Sequence, residues 1–129
     1  MKKLIAILFV VALAGCSSLQ TLIPSFNDTN QSARIIDVSL DVDLLDCDQP
    51  HAPQVKRIKD DLRWFQLYSE SNGFRNKDVL NIIKPMQETV DDFYKRSQEK
   101  QGSKLYCEMK KKIMAEQAKK ASGVILGRF

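Results

Sequence analysis

Residues 4–15, LIAILFVVALAG, form an unbroken run of apolar and small side chains directly behind Lys2 and Lys3. Cations followed by a short apolar run are the order of an export signal, and the run falls short of the roughly 20 residues a membrane-spanning helix needs. The folding unit is therefore expected within residues 16–129. Without Lys2 and Lys3 the net charge falls from +4 to +2, so the basic balance of the whole chain is weak ground for nucleic-acid binding. With 43% apolar and 28% charged side chains the composition is globular, unlike a disordered tail or a polytopic membrane protein.

The run ends in Leu13-Ala14-Gly15-Cys16. Charge, apolar run, small residues and cysteine stand in the order of the lipobox, and over these residues the chain resembles the bacterial lipoproteins. The resemblance implies that residues 1–15 are a signal peptide and that Cys16 becomes the first mature residue. Cys16 would carry a thioether-linked diacylglycerol and an acyl chain on its amine, and no other cofactor is expected. Several chains hold a protein firmly on a bilayer where a single one is marginal. Ser17, in place of an aspartate after the cysteine, implies attachment to the outer membrane with the body facing the periplasm.

Setting Cys16 aside leaves Cys47 and Cys107. In an oxidising compartment an intramolecular bridge is the default, and it would close a long loop. No CxxC motif accompanies either cysteine, and His51 is the only histidine. A structural disulfide is expected.

Residues 16–33 are rich in Ser, Thr, Asn and Gln and read as a lipid-anchored tether, with Leu22, Ile23 and Phe26 free to dock locally or lie near lipid. Residues 34–129 are expected to form one periplasmic domain. At its start, Ile36, Val38, Leu40, Val42 and Leu44 occupy alternate positions, the period of a half-buried strand. Ile36, Leu40 and Leu44 are also spaced four apart, which fits a helix, but the β-branched content favours the strand. Packing of this segment within its own domain is the ordinary reading, and it could also bend into a hairpin. Alternatively its free edge, through Ile36, Val38, Leu40 and Val42, is a candidate partner-binding site that could add to another sheet, or pair with a second copy to give a homodimer through residues 36–44. Residues 49–53 break the chain, leaving His51 in an exposed loop between Pro50 and Pro53.

Three main helices are expected after the break. The first begins near Pro53, carries Val55, Ile58, Leu62 and Phe65 on one face and ends at Ser71-Asn72-Gly73. Trp64 and Tyr68 lie beside that face; Trp64 is a further candidate for partner or peptidoglycan binding, though core packing suits a large ring better. The second starts after Asn76, follows Val79, Leu80, Ile83, Met86, Val90 and Phe93, and is expected to break at Pro85. The third runs over about 104–122, capped by Ser103, with Leu105, Met109 and Ile113 as its stripe. Val124, Ile125, Leu126 and Phe129 are expected to join the core. The fold expected is mainly α: a small bundle of three main helices with a short N-terminal β-strand, stapled by one disulfide.

Charge is unevenly placed. Residues 28–48 hold six aspartates against Arg34, a net −5, while residues 95–128 carry a net +7 that includes Lys110, Lys111 and Lys112. The two regions lying close together is one explanation; docking of the lysine cluster on anionic lipid, cell-wall polymer or an acidic protein is the other. No nucleic-acid-binding signature accompanies the basic segment. DVDLLDCD lacks the glycine and distal glutamate of a calcium loop, so no metal site is expected. GxSxG, HExxH and phosphate-binding glycine loops are absent from the sequence, and neither His51 nor the Glu88–Asp92 pair sits in a setting that suggests catalysis.

The function expected is that of an outer-membrane-anchored lipoprotein acting as a non-catalytic envelope interaction or assembly factor, held to the bilayer through Cys16 and bound to an envelope protein. In its lipid anchor, size, helicity and bridge the chain resembles the pilotins, small helical lipoproteins that escort secretion-channel subunits to the outer membrane; this resemblance is one of organisation. The alternatives are a phage-encoded exclusion or lysis lipoprotein of the outer-spanin kind, and a periplasmic inhibitor or immunity protein.

Overall fold

The computed structural model describes residues 27–128, apart from the side chains of Phe74 and Arg75. Residues 1–15, expected to be a signal peptide, and Cys16, Leu22, Ile23, Phe26 and Phe129 lie outside the described residues. Four α-helices follow one another: α1 (Thr29–Asp43), α2 (His51–Ser71), α3 (Lys77–Glu99) and α4 (Lys104–Leu126), with a single 3-10 turn at Gly73–Asn76 before α3.

The described residues form a four-helix bundle, which overturns the expectation of three helices and a strand. Residues 29–43 are helical because they carry an inner seam, Gln31, Ile35, Val38 and Val42, spaced four and three apart and buried throughout. Asp28 starts the helix: its carboxylate accepts from the backbone amides of Asn30 (2.9 Å) and Gln31 (3.2 Å), a cap worth about 1 kcal/mol. A strand would have put Val38 and Val42 on the same side as Ile36 and Leu40. The helix instead separates them, Val38 and Val42 inward and Ile36 and Leu40 outward. A helix has no free ladder edge, so edge-to-edge pairing through residues 36–44 is not available.

His51 also departs from expectation. It is the first residue of α2, buried beside Phe93 at 5.8 Å between ring centroids, with Nε2 3.2 Å from the carbonyl oxygen of Cys47. α2 then follows Val55, Ile58, Leu62 and Phe65 as expected. Gly73, at φ 78°, supplies the left-handed residue that turns the chain toward α3.

α3 passes through Pro85 without a break, the second correction. Pro85 removes one backbone donor and crowds the preceding turn, which costs about 3 kcal/mol in an isolated helix. Here Val79 and Ile83 before it, and Met86, Val90 and Phe93 after it, are all buried on one face. Keeping that face in register outweighs the local penalty. Gln117 of α4 donates to the Pro85 carbonyl (3.2 Å).

α4 is capped by Ser103, whose Oγ accepts from the Tyr106 amide (3.2 Å). Its buried seam is Cys107, Met114, Ala118, Ala121 and Ile125, not Leu105, Met109 and Ile113, which lie outside. Val124 and Leu126 are exposed and only Ile125 of that trio enters the core.

Side-chain pairs fix the helix directions. Asn30 meets Tyr68 and Arg57 meets Asp41, so α1 and α2 are antiparallel. Gln66 meets Gln87 and Lys59 meets Asp91 between α2 and α3; Asp92 meets Lys110 and Asp78 meets Arg128 between α3 and α4. Ser39 and Ser122 meet at 3.2 Å between α1 and α4. The bundle is therefore up-down-up-down, each helix packing on its chain neighbours and α4 closing on α1. Asn27 and Arg128 lie at one end, here called the root. The disulfide between Cys47 and Cys107 (Cα–Cα 5.7 Å) ties the α1–α2 loop to the first turns of α4 at the other. Closing that loop stabilises the domain by a nominal 4 kcal/mol or so through the unfolded state.

Candidate interaction surface on α1 and α4

Apolar residues outside the core are concentrated on two helices. On α1, Ile36, Leu40 and Leu44 are 52%, 53% and 62% exposed and stand one above the next, opposite the buried seam. On α4, Leu105 (76% exposed), Met109 and Ile113 form a second row with the same spacing. The outer face of α3 carries no such row among the described residues, and α2 contributes Trp64 and Leu67.

α1 is flanked by carboxylates. Asp37 is exposed and reaches Arg34 only at 3.8 Å, because that guanidinium pairs with Asp61 at 2.7 Å. Arg57 takes Asp41 at 3.0 Å and Lys104 takes Asp48 at 2.7 Å, while the exposed Asp43 is in no ion pair among the described residues. Beyond Leu44 lies an open hollow of about 420 Å³ between the α1–α2 loop and α4, with Asp43, Asp46, Asp48 and Glu108 on its walls. Lys111 crosses there, but its ammonium donates to the main-chain oxygens of Asp43 (2.8 Å) and Leu45 (2.9 Å). It caps the C-terminal carbonyls of α1, and of the four carboxylates only Asp48 has an ion-pair partner, Lys104, among the described residues.

The lysine cluster thus divides three ways. Lys110 is directed at Asp92 (2.8 Å), Lys111 caps α1, and Lys112 faces outward. The Asp92 carboxyl is held below the ordinary carboxylate range by hydrogen bonds from Lys110 and then Arg96. Asp61 moves the other way: partial burial raises it, against the pull of Arg34. Trp64 stacks on Tyr68 (4.9 Å, 7° between planes) beneath the Arg34 guanidinium at 4.5 Å. Its ring packs on Tyr68 and Arg34 yet stays 38% exposed and outside the core, so the expected core packing of Trp64 is not what the fold shows. Of the binding residues expected from sequence, Ile36, Leu40 and Lys112 are presented to solvent, and Val38 and Val42 belong to the core.

A second concavity, about 520 Å³, lies between α2 and α3 over Leu62 and Val90. Its rim alternates Lys59, Arg63 and Lys84 with Asp60, Glu88 and Asp91, so opposite charges balance along it. Among the described residues no group of three or more His, Cys, Asp or Glu side chains is placed to hold a metal ion.

No protein family, curated protein or solved structure matches this chain.

The α1 row was within reach of sequence reasoning. Its four-residue spacing was visible, and the helical assignment needed to place it outward was the alternative to the strand. The exposure of Leu105, Met109 and Ile113 carried no such signal, since a spacing of four fits an inner seam as well as an outer one.

Proposed function

We propose that the protein is a lipoprotein anchored in the outer membrane through Cys16, and that its periplasmic helical bundle is a non-catalytic interaction or assembly factor for an envelope protein. The observation that carries the interaction role is the outward row Ile36, Leu40 and Leu44 on a helix whose inner seam is already fully used by the core. A helix with two apolar seams is built to pack on both sides. The anchor rests on Leu13-Ala14-Gly15-Cys16 behind the short apolar run. An anchor at Cys16 would bring the root end, where the chain enters α1, toward the bilayer.

In-cell crosslinking of the mature protein, with linked peptides identified by mass spectrometry, tests the interaction role. Reproducible links from residues 36–44 or from α4 to one envelope protein are expected. Self-links and scattered lipoprotein neighbours alone, in a well-expressed sample, refute it. The anchor has its own test: Cys16→Ala should abolish labelling by radioactive palmitate and release the protein from the membrane fraction.

A further inference from the structure

The partner surface of α1 has a definite chemistry. Ala33, Ile36, Leu40 and Leu44 run up its outer side at spacings of three, four and four, and all four are exposed. From Ile36 to Leu44 the row is straight and about 12 Å long, from about 1.5 Å of rise per residue. A straight row at this spacing matches the ridges and grooves of another α-helix; a bound strand would present its side chains at a period of two. Ser39 and Ser122 touch across the α1–α4 seam, which runs beside the row. A helix laid on α1 would therefore also rest on α4.

Charge selects among the helices that could lie there. Asp37 and Asp43 flank the row, one with only a long contact to Arg34 and the other exposed. The hollow beyond Leu44 adds Asp46 and Glu108, while its two lysines are committed to Asp48 and to main-chain carbonyls. A second copy packed α1 on α1 would bring these carboxylates against each other. An anionic lipid surface would meet the same repulsion. A helix bearing lysine or arginine beside its apolar residues meets Asp37 on one flank and Asp43 on the other, with Asp46 and Glu108 at the far end, where Lys104 and Lys111 also stand. Its cations must face these carboxylates and not Lys112 of α4.

We propose that the outer seam of α1 is a docking site for a basic amphipathic helix of another protein. Its apolar residues, at i, i+4 and i+8, cover Ile36, Leu40 and Leu44, and its cations face Asp37, Asp43 and the acidic hollow. This deepens the interaction role proposed above and rests on it.

The test uses the full lipidated chain in phosphatidylcholine nanodiscs, with empty discs as the control. Two synthetic helical peptides are titrated, one with leucines at i, i+4 and i+8 flanked by lysines, the other with glutamates in place of the lysines. Saturable amide shifts centred on residues 36, 40 and 44 are expected with the lysine peptide, and binding of the glutamate peptide should be weaker by about tenfold or more. Leu40→Glu should remove the binding. Asp37→Lys combined with Asp43→Lys should reverse the preference, and both are surface changes whose folding is checked by helicity and the intact disulfide. Equal affinity for the two peptides overturns the proposal, as do shifts confined to α4 or to the α2–α3 groove, binding explained by empty discs, and absence of saturable binding. Should any of these occur while in-cell crosslinks to one envelope protein persist, the interaction role stands and the basic-helix partner falls.

Discussion

At the scale of single residues, the acidic side chains show how neighbours decide a carboxyl's behaviour. Asp92 lies between Lys110 and Arg96, and its pKa is lowered in the fold, so its contribution to stability is present above the unfolded value near 3.9 and is lost as pH falls through the lower folded value. Asp61 has the opposite sign: burial raises its folded pKa, so its contribution is present in acid and lost as pH rises through that higher value. A carboxyl-resolved NMR titration should place Asp92 below and Asp61 above the ordinary aspartate value, and Lys110→Met should move Asp92 upward. Coincident titration of the two would contradict the pairing described. Lys111 differs again, since it bonds main-chain carbonyls and no carboxylate. Lys111→Met should fray the end of α1, visible as faster amide exchange at Leu44 and Leu45, for a loss of about 1 kcal/mol.

At the scale of elements, α1 divides into a seam that holds the fold and a seam that does not. Val38→Ala should cost about 2 kcal/mol in denaturant unfolding, while Leu40→Ala should stay within about 0.5 kcal/mol; equal costs would mean that both side chains are buried. The same division explains why the sequence of α1 has the period of a strand. Val38 and Val42 belong to the inner seam and Ile36, Leu40 and Leu44 to the outer one, and together they place an apolar residue at every second position. Two overlapping helical rows imitate the alternation of one strand. In α4 the mismatch between pattern and fold has another origin. The buried seam relies on Cys107, Ala118 and Ala121, small residues with little hydrophobic signal, while larger apolar side chains stand outside. α2 and α3 were legible because one apolar face dominates each, although packing carried α3 straight through Pro85. Pro85→Ala should restore the missing backbone bond and raise stability by about 1–3 kcal/mol, read as a higher denaturation midpoint at unchanged slope. Pro50 and Pro53 suggest a loop around His51, whereas both are tolerated at a helix start, where His51 stands. The candidate surface was half legible: residues 36–44 were singled out, with the wrong geometry and the wrong pair of valines.

At the scale of the whole molecule, the bridge pairs Cys47 with Cys107, and it joins the acidic segment 28–48 to the basic segment 95–128. Converting both Cys47 and Cys107 to Ser should lower stability by about 2–5 kcal/mol, measured as the loss in denaturant midpoint relative to the oxidised protein. An unchanged midpoint would mean that the bundle is held by its core alone. The position of the bridge has a mechanical consequence. Asn27 and Arg128 leave the bundle at the root, and the bridge closes the far end. Tension applied between Asn27 and Arg128 would peel α1 and α4 apart from the root, one turn after another, and would stop at the Cys47–Cys107 link. Only residues 27–47 and 107–128 could pay out, roughly 150 Å of extended chain, while the α2–α3 hairpin would bear no load. Under such a load the oxidised molecule is a tether with a stop.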